Sequence, residues 1–127
     1  METILVVEDE VLVRVVIAQY LRDCGYRVIE AVSADEAIAV LQQTEIVVDV
    51  IFTDTDMPGT MDGFGLARWA RGNCPGAEVI LTGTIPRAVG AAADLCEQNG
   101  TVPKPYEPWF VHDRIRRLLA ARPRKKP

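Results

Sequence analysis

The 127-residue chain lacks several features that mark common protein classes. Its three cysteines, Cys24, Cys74 and Cys96, are an odd number without metal-site spacing, which favours buried thiols in a reducing compartment. No apolar run approaches the roughly 20 residues that a membrane-spanning helix needs. The first residues show no basic segment followed by an apolar stretch, so we expect no signal peptide and a cytoplasmic protein.

Positive charge is scarce outside the C-terminus. The net charge is −4, but residues 122–127 alone hold four basic side chains. The remaining 10 basic and 18 acidic residues leave the body of the chain at −8, which argues against direct nucleic-acid binding. The length fits one domain, predicted at residues 1–121, followed by a basic tail or the start of a linker at 122–127.

Strand and helix patterns alternate five times along the chain, which predicts a parallel sheet built from βαβ units. Gly25 and Gly72 are predicted to end the first and third helices. Ser33 and Glu36 form a capping box at the start of the second helix. The predicted strands cover residues 3–8, 27–31, 47–54, 78–82 and 101–103, and the predicted helices cover 10–24, 33–43, 64–71, 86–99 and 108–121.

Polar residues stand at the ends of four predicted strands. They are Glu8 and Asp9, Asp54 with Asp56, Thr82, and Lys104. Ligands of open α/β sheets bind beyond the carboxyl ends of the strands, so these side chains are expected to meet. The acids would repel one another unless one is protonated or a cation binds, and three acids suit Mg²⁺. A lysine and a hydroxyl suit phosphoryl oxygens, so the pattern predicts phosphoryl transfer with Asp54 as nucleophile.

Four motifs occur in order at matching strand ends. They are ILVVEDE at residues 4–10, D-x-x-MPG with MDG at 54–63, VILTG at 79–83 and KPY at 104–106. With them the chain resembles, over nearly its whole length, the receiver domain of two-component response regulators. The resemblance implies a doubly wound α/β fold with five helices and a five-stranded parallel sheet in the flavodoxin-like order 2-1-3-4-5.

The resemblance also implies roles for the acids. Asp54 would accept a phosphoryl group from a histidine kinase. Asp9 and Asp54 would bind Mg²⁺ through their side chains, Glu8 through water and Asp56 through its backbone carbonyl. Such a domain is a signalling phosphoacceptor that catalyses only its own phosphorylation and dephosphorylation, with no other enzymatic activity. Further candidate partners are an output domain or a phosphotransfer protein, and no membrane contact is expected.

The switch residues follow from the same resemblance. Thr82, Gly83 and Lys104 would bind the phosphoryl group, and the Lys104–Pro105 bond would be cis. Thr101 stands where the family usually has an aromatic ring that moves inward on activation. Since Thr101 is too small for that role, we expect Thr82 and the loop beginning at Gly83 to carry the switch. That arrangement would suit a phosphoryl relay or sink.

The first predicted helix carries more apolar residues than one buried face requires. Its predicted buried stripe is Val13, Val16, Ile17, Tyr20 and Cys24. The surplus apolar residues are Val11, Leu12, Val15 and Ala18. Exposed apolar patches often mark partner sites, and the family docks its kinase along this helix. We therefore expect Val11, Leu12 and Val15 to form a kinase docking surface.

Two alternative functions remain open at this point. One is an aspartyl-phosphate hydrolase with Asp54 and Asp56 as a D-x-D motif, although Pro58 stands where that motif usually has Thr or Val. The other is a pseudo-receiver that binds partners without being phosphorylated. Detection of a phosphoryl group on Asp54 in the presence of Mg²⁺ would separate these functions.

Overall fold

The computed structural model describes residues 1–57, 59–83 and 101–122, with Thr101 described by its backbone alone. The helix predicted at residues 86–99 lies outside these ranges. The strands are β1 (Thr3–Val7), β2 (Arg27–Ala31), β3 (Val50–Asp54), β4 (Glu78–Gly83) and β5 (Thr101–Pro103). The helices are α1 (Val11–Asp23), α2 (Ala34–Leu41), α3 (Gly63–Asn73) and α4 (Pro108–Ala121).

The five strands form one parallel sheet in the order β2-β1-β3-β4-β5, which confirms the predicted doubly wound arrangement. Every residue of β1 and β3 is buried, as expected for central strands covered on both faces. In the pairing of β3 with β4, Asp54 lies opposite Thr82. The sheet therefore delivers the predicted site residues to its carboxyl edge.

Hydrophobic clusters cover both faces of the sheet, and the two largest among the described residues lie on opposite faces. Alternate residues of each strand point to opposite faces, so β1 contributes to both cores. The core beneath α1 and α4 includes Ile4, Val6, Ile17, Phe52 and Ile115. The core beneath α2 and α3 includes Leu5, Val7, Ala37, Ile51 and Leu66. Within the described ranges, no helix is both long enough and apolar enough to cross a membrane.

Several predicted boundaries differ from the observed ones by one to three residues, and two of these differences have an identifiable cause. β3 begins at Val50 rather than Val47, whose side chain is 68% exposed. The chain enters the sheet at Asp49, whose carboxylate accepts a 2.8 Å hydrogen bond from the backbone N–H of Thr3. α3 continues through Gly72 to Asn73, because Gly72 does not adopt the positive φ that would end the helix.

The buried face of α1 also differs from the predicted stripe. Its fully buried residues are Ile17, Ala18 and Leu21, whereas Val16 is 57% exposed and Cys24 is also exposed. The prediction of a buried thiol is therefore wrong for Cys24. Ala18 was predicted to lie outside the buried stripe, and this is wrong, because its small side chain is buried on the inward face, one turn after Arg14. The exposure predicted for Val11, Leu12 and Val15 is confirmed.

The first residue of the predicted tail binds back to the domain. Arg122 Nη1 lies 3.1 Å from Asp49 Oδ1, and its Nη2 donates a 2.9 Å hydrogen bond to the carbonyl of Gly76. Both partners lie at the amino edge of the sheet, where β3 and β4 begin. These two contacts of Arg122 join the end of α4 to the sheet edge opposite the site.

Candidate functional site: an acidic cluster with a lysine

The acidic cluster lies where β1 and β3 end. One carboxylate oxygen each from Glu8, Asp9 and Asp54 lies within 4.8 Å of the others. Glu8 and Asp54 are buried, at 2% and 4% exposure, and Asp9 is the most accessible of the three. The structure thus brings together the acids that the sequence predicted as a metal site. Three oxygen donors at this separation fit a hard cation such as Mg²⁺.

Lys104 reaches into the acidic cluster from the segment after β5. Its Nζ lies 2.6 Å from Glu8 Oε1, 3.1 Å from Asp54 Oδ2 and 3.5 Å from Glu10 Oε1. The contact with Glu10 was not foreseen from the sequence. The Lys104–Pro105 peptide bond is cis, as predicted. Lys104 therefore faces more negative charge than a single ammonium neutralises, which leaves the cluster short of positive charge.

The pKa values of this pair reflect both burial and charge. Burial raises the pKa of Glu8 to about 7, while hydrogen bonds from Lys104 and from the Glu10 N–H oppose the rise. Burial favours the neutral form of Lys104, but its hydrogen bonds to Glu8 and Asp54 prevail and raise its pKa. Lys104 is therefore a permanent positive charge, and a bound cation would favour the ionised form of Glu8.

Two buried hydroxyls belong to neighbours of Asp54, namely Thr55, which follows it in the chain, and Thr82, which lies opposite it in the sheet. Thr82 and Thr55 are 1% and 0% exposed, and neither Oγ1 finds a hydrogen-bond partner within the described parts of the chain. A buried hydroxyl left unpaired costs about 1–3 kcal/mol, so such a group is suited to receive an incoming partner. Thr82 stands opposite Asp54 in the pairing of β3 with β4, so it belongs to the same carboxyl edge of the sheet.

Position 83 requires a glycine because a neighbouring side chain leaves no room for a Cβ atom, not because of its backbone angles. A Cβ atom at this position would collide with Oγ1 of Thr55. The Thr55 N–H in turn donates a 2.8 Å hydrogen bond to the carbonyl of Thr82. Thr55 therefore packs against the segment that was predicted to carry the switch, a contact for which the sequence offered no signal.

Gly63 packs directly against the backbone of Asp54. A Cβ atom on Gly63 would collide with the carbonyl oxygen of Asp54 and lie 2.8 Å from both the Asp54 carbonyl carbon and the Thr55 Cα. The Gly63 N–H donates a 3.1 Å hydrogen bond to the Thr55 carbonyl. Only a residue without a side chain lets α3 begin this close to β3. The sequence contained the MDG motif, but its physical reason appears only in the structure.

The remaining predicted residues lie around this edge. Asp56 follows the strand, and its N–H donates a 3.2 Å hydrogen bond to Asp54 Oδ1. Val11, Leu12 and Val15 are exposed residues near the start of α1, which begins two residues after Asp9. A groove of about 480 Å³ separates α1 from the segment after β5. The side chain of Thr101 lies outside the described residues, so its predicted role stays a prediction.

Comparison with known families matches nearly the whole chain. The family model described as the response regulator receiver domain matches residues 4–116. The transcriptional regulatory protein ResD of Bacillus subtilis is 34% identical over 116 residues, which cover 91% of this chain and 47% of ResD. The sensor kinase CckA of Brucella abortus is 34% identical over 105 residues, which cover 82% of this chain and 11% of CckA. The chain thus spans less than half of either relative.

Solved structures agree with the sequence comparison. The receiver domain from the hybrid histidine kinase CckA is 33% identical with a TM-score of 0.75, over 92% of this chain and 98% of that one. A response regulator receiver protein from Sinorhizobium medicae is 26% identical with a TM-score of 0.85, over 96% of this chain and 97% of that one. The chain therefore belongs to the response regulator receiver domain family of two-component signalling.

Proposed function

We propose that Asp54 accepts a phosphoryl group from a histidine kinase in an Mg²⁺-dependent reaction. The observation that carries this proposal is the convergence of three groups on one strand end. Asp54 has Lys104 Nζ at 3.1 Å and, on the adjacent strand, the buried Thr82 hydroxyl, for which the described residues offer no hydrogen-bond partner. A carboxylate nucleophile, a fixed cation and a free donor are what phosphoryl acceptance requires.

The chemistry follows from these groups. A carboxylate oxygen of Asp54 would attack phosphorus, and the bond from phosphorus to the kinase histidine would break as the imidazole leaves. Lys104 would bind one phosphoryl oxygen, and Thr82 would donate its hydroxyl hydrogen to another. Mg²⁺ would neutralise charge on the carboxylates and the phosphoryl group. In the absence of a phosphoryl group, Lys104 would hold the carboxylate of Asp54 in place.

The proposed Mg²⁺ site uses the acids at the edge of the sheet. Asp9 and Asp54 would bind through their carboxylates, Glu8 through a water and Asp56 through its backbone carbonyl. The clustering of the three acid oxygens within 4.8 Å supports this assignment. The cation would also keep Glu8 ionised, because it opposes the effect of burial on the pKa of that carboxyl.

Output from this domain is proposed to pass to a partner. The relatives include a protein named as a transcriptional regulator and one named as a sensor kinase, and this chain covers less than half of each. We propose an output domain or a phosphotransfer protein as the recipient of the signal. Thr82 and the loop beginning at Gly83 would carry the switch, since Thr101 lacks an aromatic ring.

The proposed function is tested by labelling with a small phosphodonor in the presence of Mg²⁺. The wild type is expected to gain one phosphoryl group and the Asp54→Asn variant none. Equal labelling of the two proteins would contradict the assignment. A pseudo-receiver would remain unlabelled, and a hydrolase would release phosphate from phosphomonoesters continuously, so both alternatives give different results.

The docking surface gives a separate prediction. Val15 is 48% exposed on α1, so a glutamate there would not disturb the core but would place a charge on the apolar surface. We expect Val15→Glu to slow phosphotransfer from the cognate kinase by about tenfold or more, equivalent to about 1.4 kcal/mol. Labelling by the small phosphodonor should be unchanged.

The matched control for this variant is Val47→Glu. Val47 is also an exposed valine, at 68% exposure, but it precedes β3 at the opposite edge of the sheet. The Val47→Glu substitution should leave both the kinase reaction and the small-donor reaction unchanged. If Val15→Glu reacts with the kinase as fast as Val47→Glu does, α1 is not the docking surface.

A further inference from the structure

Arg14 connects the acidic turn to the neighbouring strand. Its side chain is 14% exposed, its Nη1 donates a 3.0 Å hydrogen bond to the backbone carbonyl of Glu8, and its Nε lies 3.2 Å from Glu30 Oε1. The N–H of the same residue, Glu8, donates a 3.0 Å hydrogen bond to the carbonyl of Ala31. Glu8 is thus held to β2 on both sides, once through the backbone and once through Arg14.

We propose that Arg14, oriented by Glu30, is a positioning residue for the metal site. It would hold the turn after β1 so that Glu8 and Asp9 face Asp54 against their mutual repulsion. The inference rests on the Mg²⁺ site of the proposed function. Arg14 does not touch the cation or the phosphoryl group itself, since its bonds run to a backbone carbonyl and to Glu30.

Within the turn itself, the N–H of Glu10 donates a 3.1 Å hydrogen bond to Glu8 Oε2, a bond that does not connect the turn to a neighbouring strand. Glu10, the N-cap residue of α1, makes no capping hydrogen bond through its side chain within the described structure. Lys104 bridges the buried carboxylates of Glu8 and Asp54, but one ammonium does not offset the charge of the three clustered acids together. A net repulsion between the turn and β3 therefore remains. The planar guanidinium of Arg14 serves two acceptors at once, which a lysine cannot do in the same geometry.

Charge and positioning predict opposite effects when Arg14 is removed. Loss of a positive charge close to the acidic cluster would strengthen binding of a cation if electrostatics alone mattered. Loss of the support would weaken cation binding, because Glu8 and Asp9 would no longer be preorganised. The sign of the change in Mg²⁺ affinity therefore distinguishes the two explanations.

Arg22 provides a matched control on the same helix. Its Nη1 lies 3.0 Å from the other carboxylate oxygen of Glu30, and its Nη2 donates a 3.0 Å hydrogen bond to the carbonyl of Val28. Arg22→Met thus removes the same charge from the same ion-pair network and leaves the bond from Arg14 to Glu8 in place.

The experiment is a calorimetric titration of Mg²⁺ into the wild type, Arg14→Met, Arg14→Lys and Arg22→Met, with the fold of each checked by circular dichroism. We expect the Mg²⁺ Kd to rise about tenfold for Arg14→Met and to rise also for Arg14→Lys, which keeps the charge but not the two bonds. Arg22→Met should bind as tightly as the wild type or slightly more tightly.

The possible outcomes distinguish a failure of the positioning role of Arg14 from a failure of the proposed Mg²⁺-dependent function. Unchanged or tighter Mg²⁺ binding by a folded Arg14→Met or Arg14→Lys would overturn the positioning role and leave the proposed function intact. A wild type that binds no Mg²⁺ would overturn the proposed metal site and the positioning role with it. If Arg14→Met does not fold, the change in the Mg²⁺ Kd of Arg14→Lys alone tests the positioning role.

Discussion

Gly63→Ala is expected to cause a large loss of both stability and phosphoryl acceptance. The new methyl group would collide with backbone atoms of Asp54 and Thr55, and a backbone cannot rotate away as a flexible side chain would. α3 would have to move off β3 and break the 3.1 Å hydrogen bond from Gly63 to Thr55. Overpacking of this kind costs about 3 kcal/mol, and the Tm should fall by roughly 10 °C.

The same helix contains the control for this prediction. Apart from its chain neighbours and the backbone of its own helix, a Cβ atom on Gly72 would meet no atom within 4 Å in the described portion of the chain. Gly72→Ala should therefore stabilise the domain by about 0.5–1 kcal/mol, because alanine is the better helix former. Thermal melting of both variants gives the comparison. Equal melting temperatures for Gly63→Ala and the wild type would show that Gly63 does not pack closely against the backbone of Asp54 and Thr55.

Lys104→Met is expected to be the second large effect. The substitution removes the ammonium from two carboxylates whose side chains are 3% and 6% exposed, those of Glu8 and Asp54. Breaking a buried ion pair by removing one partner costs about 3 kcal/mol or more, so the Tm without Mg²⁺ should fall by about 10 °C. Saturating Mg²⁺ should then raise the Tm by more than it does in the wild type, because the cation meets a cluster with no competing lysine.

The pH dependence of Lys104→Met follows from Glu8. Without the ammonium, the pKa of Glu8 should rise further above its unfolded value than the value of about 7 in the wild type. A carboxyl with a raised folded-state pKa stabilises the fold at low pH, and that stability is lost as the pH rises through the folded pKa. The deficit of the variant in the absence of Mg²⁺ should therefore be larger at pH 8 than at pH 6.

Asp9→Ala is the control for the response to Mg²⁺. Asp9 is the most accessible of the three acids, so its loss should change the Tm little without the cation. Most of the Mg²⁺-dependent increase should nevertheless disappear, because a proposed direct ligand is gone. If Lys104→Met, Asp9→Ala and the wild type all gain the same increment, the cation binds elsewhere.

The topology was predictable because it depends on patterns that the sequence displays directly. Continuous apolar runs such as those of β1 and β3 are typical of strands buried on both faces, and alternation with helices specifies a parallel sheet. The carboxyl ends of parallel strands share one edge, so the sequence pattern alone predicts that Glu8, Asp54 and Lys104 lie together. The motifs at these ends then indicated the family.

The inward face of α1 was not predictable in the same way. Valines occur on several faces of this helix, so apolar periodicity does not single out one stripe, and the predicted one included the exposed Val16. The true inward face contains Ala18 and Arg14, a small residue and a charged one. Arg14 is held there by two specific polar contacts that no hydrophobic pattern reports. Its role depended on tertiary structure.

Contacts between backbone segments were also beyond the sequence. Gly63 and Gly83 stand in recognised motifs, but motif letters do not tell which atom excludes a side chain. In the structure, the backbone of Asp54 excludes one at Gly63, and the Thr55 hydroxyl excludes one at Gly83. The end of β3 is thus enclosed by α3 on one side and β4 on the other, which fixes the proposed nucleophile.

The most direct test of the central claim is to locate the phosphoryl group on the chain. The wild type would be treated with a small phosphodonor and Mg²⁺ and reduced with borohydride, which converts an aspartyl phosphate to homoserine. Peptide mass spectrometry would then identify the reduced residue. The account predicts homoserine at position 54 alone, and none in Asp54→Asn. A reduced side chain at Glu8, Asp9 or Asp56, or a chain that remains unmodified, would contradict it.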